Sequence, residues 1–337
     1  MSNQPPIEVP QGAIRLNTDS QKLEFFAQDR WYEMATDTQV LDGGVGRGIA
    51  AGGNTPGQSN VLEFITIPTA GNSIDFGDMT TARQSFPAAT GSSTRGLVAG
   101  GQEFPARVNT IDFITFSSTS NAIDFSDLTV GRGQVVGTGS QTRGLFAAGQ
   151  SPSTEDVIDF VTIASQGVNA VDFGNLTVAR RIPAAASSPT RSLIAGGLNP
   201  SSLNVIDFVT TSTTGNAQDF GDLTVIRYAP IGVSSKTRAA FMGGAGTPDS
   251  APRVDMIDFV EIATKGNAQD FGDLTEINNF AQPASDSIRG VRMGGVTPLD
   301  TSCDYINIAT QGNAVFFGSL LTTHKEGAGM SNAHGGL

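Results

Sequence analysis

Two repeated sets of ionisable side chains stand out as candidates for chemistry. Carboxylates recur three positions apart, as Asp75 and Asp78, Asp124 and Asp127, Asp219 and Asp222, and Asp270 and Asp273. Acids spaced this way on a turn could contribute to a Ca²⁺ cage, which collects roughly 6 to 8 oxygens. Arginines follow them at Arg83, Arg132, Arg180 and Arg227, and a second series runs Arg47, Arg95, Arg143, Arg191, Arg238 and Arg289. Repetition favours architecture over catalysis, because a catalytic centre needs one copy of its groups. The acid set also decays, to Asn175 in one copy and to Phe316 and Ser319 in another, and no further metal ligands are placed beside it. The expectation is that the first Asp caps a turn and pairs with an arginine, that Gly supplies a strand bulge, and that arginine–carboxylate bridges brace the repeats. Neither a metal nor a cofactor is expected.

The acids belong to a longer phrase. GNAQDFGDLT occupies residues 215–224 and recurs letter for letter at 266–275. Looser copies are GNSIDFGDMT from Gly71, SNAIDFSDLT from Ser120, VNAVDFGNLT from Val168 and the worn GNAVFFGSLLT from Gly312. Three other pieces recur with it. One is an Arg-Gly-apolar-Gly-Gly stretch whose arginines are spaced 48, 48, 48, 47 and 51 residues apart. Another is an acidic-aromatic-aliphatic stretch such as IDFVTI around Phe160 and IDFVEI around Phe259. The last is a small-residue stretch such as ARRIPAAASS from Ala179.

These segments alternate apolar and polar residues, favour Val, Ile, Phe and Thr, and are separated by Gly, Asn, Pro and Ser clusters, which is the strand signal. Four strands per period of about 40 to 50 residues mark a propeller blade. The fold expected is all-β: a kelch-like six-bladed β-propeller of four-stranded blades over residues 37–337, with the first blade completed by the C-terminal strand. The terminal HGGL matches the start of a further Gly-Gly strand.

Residues 1–36 do not fit the period. The stretch GAIRLNTDSQKLEFFAQDRWYEM reads as a small β-meander, and it carries Phe25, Phe26, Tyr32 and the one tryptophan, Trp31. A unit of this size is marginal alone. It is expected to attach the chain to a larger assembly through those four aromatics.

Charged residues make up 15% of the chain and the formal net charge is −12, against roughly 25% charged in typical domains. That balance disfavours nucleic acid and anionic membranes as partners. No stretch approaches the roughly 20 apolar residues of a membrane span, and MSNQPPIEVP lacks the basic and apolar regions of a signal peptide. The single cysteine, Cys303, stands where other repeats carry Ile or Leu and is read as a packing residue. The histidines, His324 and His334, both fall in the C-terminal segment where other repeats show Arg or Asn. No Ser-His-Asp set, nucleotide loop or isolated acid pair stands out, so no catalytic residue is assigned.

The order of segments is similar to the kelch repeat, with TVARRIPAAASSPTRSLIAGG at 177–197 as a clear instance, although Phe mostly replaces the Tyr and Trp of kelch blades. The chain more closely resembles repeat proteins of tailed bacteriophages, especially marine and cyanobacterial ones, in its (I)DF(I/V)TI, GNAxDFGDLT and TRGLFAGG units and its SNAHGGL end. That resemblance implies a virion component on the tail, a fibre or the capsid, with other virion proteins as partners and a homotrimer as one arrangement open to it.

What varies between repeats is the loop after Gly-Gly. Phe104, Arg107, Glu155, Asp249, Arg253 and Leu299 are the candidate contacts for a host-surface glycan or protein. A purely architectural or decorating subunit is the alternative, and a carbohydrate-active enzyme the third.

Overall fold

A computed structural model describes residues 10–17, 22–28, 30–33, 46–54, 56–246, 252–296 and 301–337. Among the described residues every element is a strand, so the all-β expectation holds. The chain divides into two units, Met1–Leu41 and Asp42–Leu337. The boundary expected between residues 36 and 37 lies outside the described residues.

The first unit is a three-stranded antiparallel meander of Ile14–Asn17, Lys22–Ala27 and Arg30–Glu33. Its cross-strand pairs set two aromatic contacts. Phe25 stacks on Tyr32 at 5.5 Å, and Phe26 meets Trp31 edge-on at 5.3 Å. The Arg15 guanidinium lies over the Trp31 ring at 4.1 Å and is held there by Glu24 at 2.8 Å.

Among its described residues the second unit contains six four-stranded antiparallel sheets in a propeller-like arrangement. In sheet 2 the strands run Ala88–Gly91, Arg95–Ala99, Thr110–Thr115 and Ile123–Asp127, from the small-residue strand to the DFGD-type strand. Sheets 3 to 6 repeat that order, beginning at Val136–Gly139, Ala184–Ser187, Ile231–Ser234 and Gln282–Ser285. Sheet 1 has Arg47–Asn54, Gln58–Thr66 and Ile74–Arg83 as its second to fourth strands, and its first strand is Ala328–Ser331 from the far end of the chain. The register there pairs Ala328 with Ala51 and Ser331 with Gly48. Strand structure stops at Ser331, so HGGL does not begin a further Gly-Gly strand; those residues turn away instead.

Packing follows from the strand alternation. In every sheet an aromatic of the third strand meets one of the fourth edge-on, as with Phe208 and Phe220 at 6.0 Å and Tyr305 and Phe317 at 5.9 Å. Such pairs contribute about 0.5–1.5 kcal/mol beyond the area they bury. Apolar clusters form between successive sheets: Phe208 and Leu223 of sheet 4 pack with Phe241 and Val260 of sheet 5. Another joins Met293, Cys303 and Phe317 of sheet 6 to Ile65 and Ile67 of sheet 1.

The duplicated phrase is a clamp between sheets. The Asn267 side-chain oxygen accepts from the Asp222 amide at 3.1 Å, and the Ala268 amide donates to the Asp222 carbonyl at 2.7 Å. Thus the GNA of one copy covers the exposed edge of the DFGD strand before it, shielding an edge that would otherwise invite further strands. A Cβ on Gly221 (φ +151°) would run into the Gly266 carbonyl, so this close approach requires glycine. The register shifts between Ile206 and Asp207, opposite Phe220, which is the bulge expected there.

Candidate functional site

The repeated charges are the first thing the side chains explain. Arg83, Arg132, Arg180 and Arg227 each leave a fourth strand and reach an aspartate in the third strand of the next sheet. The partners are Asp112, Asp159, Asp207 and Asp258, at 2.7, 2.9, 2.8 and 2.8 Å, and all eight side chains are at most 1% exposed. Thr80, Thr129, Thr177 and Thr224 donate to the other carboxylate oxygen at 2.6–2.7 Å. Burial pulls Arg180 and Arg227 below the ordinary arginine range, and Asp207 and Asp258 oppose it.

One expectation is corrected here. The arginine partner is not the first Asp of the repeated phrase; Asp75, Asp124, Asp219 and Asp270 are exposed. The acid of the IDF strand does the pairing, because it faces inward beside the core. Among the described residues no three His, Cys, Asp or Glu side chains converge as metal ligands.

The second arginine series links sheets too. Arg95 donates to the Ile163 carbonyl, Arg191 to Ile262 and Arg289 to Ile67, each the residue just past the third strand of the following sheet, while each guanidinium lies over an aromatic of its own sheet.

Two junctions depart from the pattern. Asn278 stands where the arginine is expected, and Arg292, from the second strand of sheet 6, supplies the guanidinium to Asp304 at 2.8 Å. Between sheets 6 and 1 the pair is His324 and Glu63, 3.1 Å apart and fully buried. His324 Nδ1 faces the Gly52 carbonyl at 2.8 Å, and its Nε2 also lies 2.8 Å from the Thr322 hydroxyl. Burial pushes the Glu63 carboxyl up, but hydrogen bonds from His324, Ser73, Thr322 and the Leu321 amide outweigh it and hold the carboxyl at about 2. Burial also pushes the Cys303 thiol up to about 12, so it packs as an inert side chain.

The first strands of the six sheets line a cavity of about 110 Å³. At one end stand Phe86, Gln134, Ile182, Ala229, Phe280 and Glu326, equivalent positions that all hold positive φ between 52° and 62°. Left-handed backbone is uncommon for non-glycine residues and an outlier for a β-branched one such as Ile182. Backbone bonds between neighbours hold it, including Phe86 to Glu326 at 2.8 Å and Ala229 to Ile182 at 3.0 Å. The conformation is constant while the side chains differ. Phe280 touches both Phe86 and Tyr228, at centroid distances of 5.1 and 6.1 Å.

The other end is occupied by residues 332–337. His334 Nε2 donates to the Gly91 carbonyl at 2.9 Å, and its Nδ1 accepts the Gly336 amide at 3.1 Å, which fixes the neutral ring. Burial pushes the His334 pKa down accordingly. A Cβ at Gly335 would meet the Ser187 and Ser235 carbonyls, and one at Gly336 the Gly139 carbonyl, so the segment fits closely.

The variable loops flank the Phe86 end. Gln84 bridges to Gln102, Gly133 to Gln150, Arg181 to Leu198 and Tyr228 to Ala245, so each loop begins beside the link between sheets. Of the residues singled out in the sequence, Phe104 is 72% exposed at the turn of a hairpin of Gln102–Glu103 and Ala106–Arg107. Arg107 reaches the Gln150 side-chain oxygen at 2.9 Å. Glu155 is tied down through its backbone, which accepts from the Arg180 amide at 3.1 Å. Arg253 sits at a bridge to Ala245, and Asp249 and Leu299 lie outside the described residues. Phe25, Phe26, Trp31 and Tyr32 lie together in the meander.

Sequence reasoning missed Gln150 and Arg181, which donates to the same oxygen at 3.3 Å. Arg181 follows the repeated Arg180, and the doublet in ARRIPAAASS was its one visible signal. No family model matches the chain, and no curated protein matches it.

Proposed function

We propose that the six sheets are blades of a closed six-bladed propeller. The chain is then a non-enzymatic surface protein of a tailed-bacteriophage virion, attached through residues 1–36 and presenting the variable-loop face to the host. Closure is supported by the way sheet 6 meets sheet 1. Arg289 bonds Ile67, His324 pairs with Glu63, and Asn72 accepts from Ser319 at 3.1 Å. The first and last of these repeat contacts found between earlier sheets, such as Arg238 to the Ile308 carbonyl and the Asp273 amide to Asn313. The second stands in the place of the arginine–aspartate pair of four of them. A density map of the isolated protein with an open gap between the first and last sheets would overturn it.

The functional reading rests on one observation. The recurring arginines are absorbed into bonds between sheets, whereas the loops around one end of the cavity differ from sheet to sheet on a constant backbone. A rigid scaffold with divergent loops is how binding surfaces are built. The resemblance to phage repeat proteins supplies the virion setting, and the aromatics of the meander, Phe25, Phe26, Trp31 and Tyr32, are its attachment contacts. Purified full-length protein added to host cells before infection should slow adsorption of the phage that encodes it. Unchanged adsorption, with the chain present in purified particles, would favour an architectural subunit instead.

A further inference from the structure

Arginines of the second unit's repeated series end on carboxylates or backbone carbonyls. Arg107 and Arg181 do not. Both half-buried guanidinium groups converge on one neutral acceptor, Gln150 Oε1, at 2.9 and 3.3 Å. Among the described residues neither makes an ion pair, although Glu103 shares a hairpin with Arg107 and Glu155 follows Gln150 by five positions. Two like charges are thus gathered with no described counter-charge, in a chain whose formal net charge is −12. That overall charge does not forbid an anion here, because at physiological ionic strength it is screened beyond about 8 Å.

The three residues are carried on fixed backbone. Gln150 is bridged to Gly133 and Arg181 to Leu198, and Arg107 pairs with Gln102 across its hairpin. Their remaining N–H groups present planar forks of the kind that match a carboxylate. At the turn of the Arg107 hairpin, Phe104 offers an exposed ring, the sort of flat apolar face against which a sugar ring can lie.

We propose that Arg107, Gln150 and Arg181 form an anion site for the carboxylate of an acidic saccharide, with Phe104 as the adjoining apolar face. The choice of a saccharide rests on the outward-binding reading above; the anion site does not.

The test is an NMR titration of the full-length protein at physiological ionic strength with glucuronate, glucose and acetate in separate arms. Glucuronate should shift resonances saturably and more tightly than acetate, and glucose should not compete. Arg107→Met and Arg181→Met should each weaken glucuronate at least tenfold, and Phe104→Ala severalfold. Gln150→Glu, which places a carboxylate between the arginines, should abolish binding while leaving the melting temperature unchanged or raised; it decides the question if a Met variant fails to fold. Acetate binding as tightly as glucuronate would overturn the saccharide. No glucuronate binding, or binding indifferent to these variants, would overturn the site. Glucuronate binding without any effect of the protein on phage adsorption would instead count against the host-surface reading.

Discussion

Four of the junctions between successive sheets use the same buried pair, an arginine reaching an aspartate, and the junction from sheet 6 to sheet 1 uses His324 and Glu63. The base is shorter and the acid one methylene longer, so the span is met from the other side. Thr322, one position later than its counterparts, still donates to the carboxylate, at 2.6 Å. The slot therefore selects a reach and a donor–acceptor set rather than a residue type. The first two strands of each sheet make the same point. In sheet 4 a turn joins them, with the Arg191 amide bonded to Ser188 Oγ and the Ser188 amide to the Arg191 carbonyl. In sheet 1 Asn332 makes both bonds to Arg47, at 2.7 and 3.2 Å, across 285 residues and without a connecting turn.

The harshest way to break this comparison is to remove residues 322–337, which deletes His324 and the first strand of sheet 1 together. The loss should abolish cooperative unfolding by circular dichroism and yield soluble aggregates on size exclusion. A normal melt would mean that sheet 1 does not depend on its distant strand.

Next in size is Arg180→Met, which leaves Asp207 buried and unpaired and should cost about 3–5 kcal/mol in denaturant unfolding. Combining Arg180→His with Asp207→Glu copies the other junction and should cost less than the single change. If the double variant is worse, reach is not what the slot selects.

Acid should expose the Glu63 junction. Its carboxyl is held at about 2 in the folded chain, against an ordinary value of 4.5. The folded pKa is depressed, so its stabilisation is complete above the ordinary value and is lost as pH falls toward 2. That amounts to roughly 3 kcal/mol. Glu63→Gln should flatten this part of the stability–pH curve. The smallest effect belongs to Asn332→Ala, about 1 kcal/mol by analogy with single hydrogen bonds. It should exceed that of Ser188→Ala, where a covalent turn still holds the strands.

Much of the second unit was legible because its strand pattern, turn residues and period agree with one another. The small-residue strand near residue 328 could be matched to sheet 1 by counting alone. The partner of the repeated arginines could not. Asp207 and Asp219 lie opposite each other on adjacent strands, and the strand pattern alone does not say that the third-strand carboxylate is the one covered by the neighbouring sheet. Arg292 and Asn278 were readable in principle as a charge moved within one repeat, since the sequence shows a lost arginine and a gained one 14 positions apart. The convergence of Arg107 and Arg181 was not readable, because it depends on how loops from different sheets lean together.

The pairing of Ala51 with Ala328 has a consequence for synthesis. Sheets 2 to 6 can each form as their own residues emerge, but sheet 1 must wait for the last of them. At about 5–20 residues per second on the ribosome, the second strand of sheet 1 stays one neighbour short for roughly 15–55 s. During that interval its bare edge is the part of the nascent chain most in need of a chaperone, and translation that stalls before residue 328 would release a molecule unable to finish.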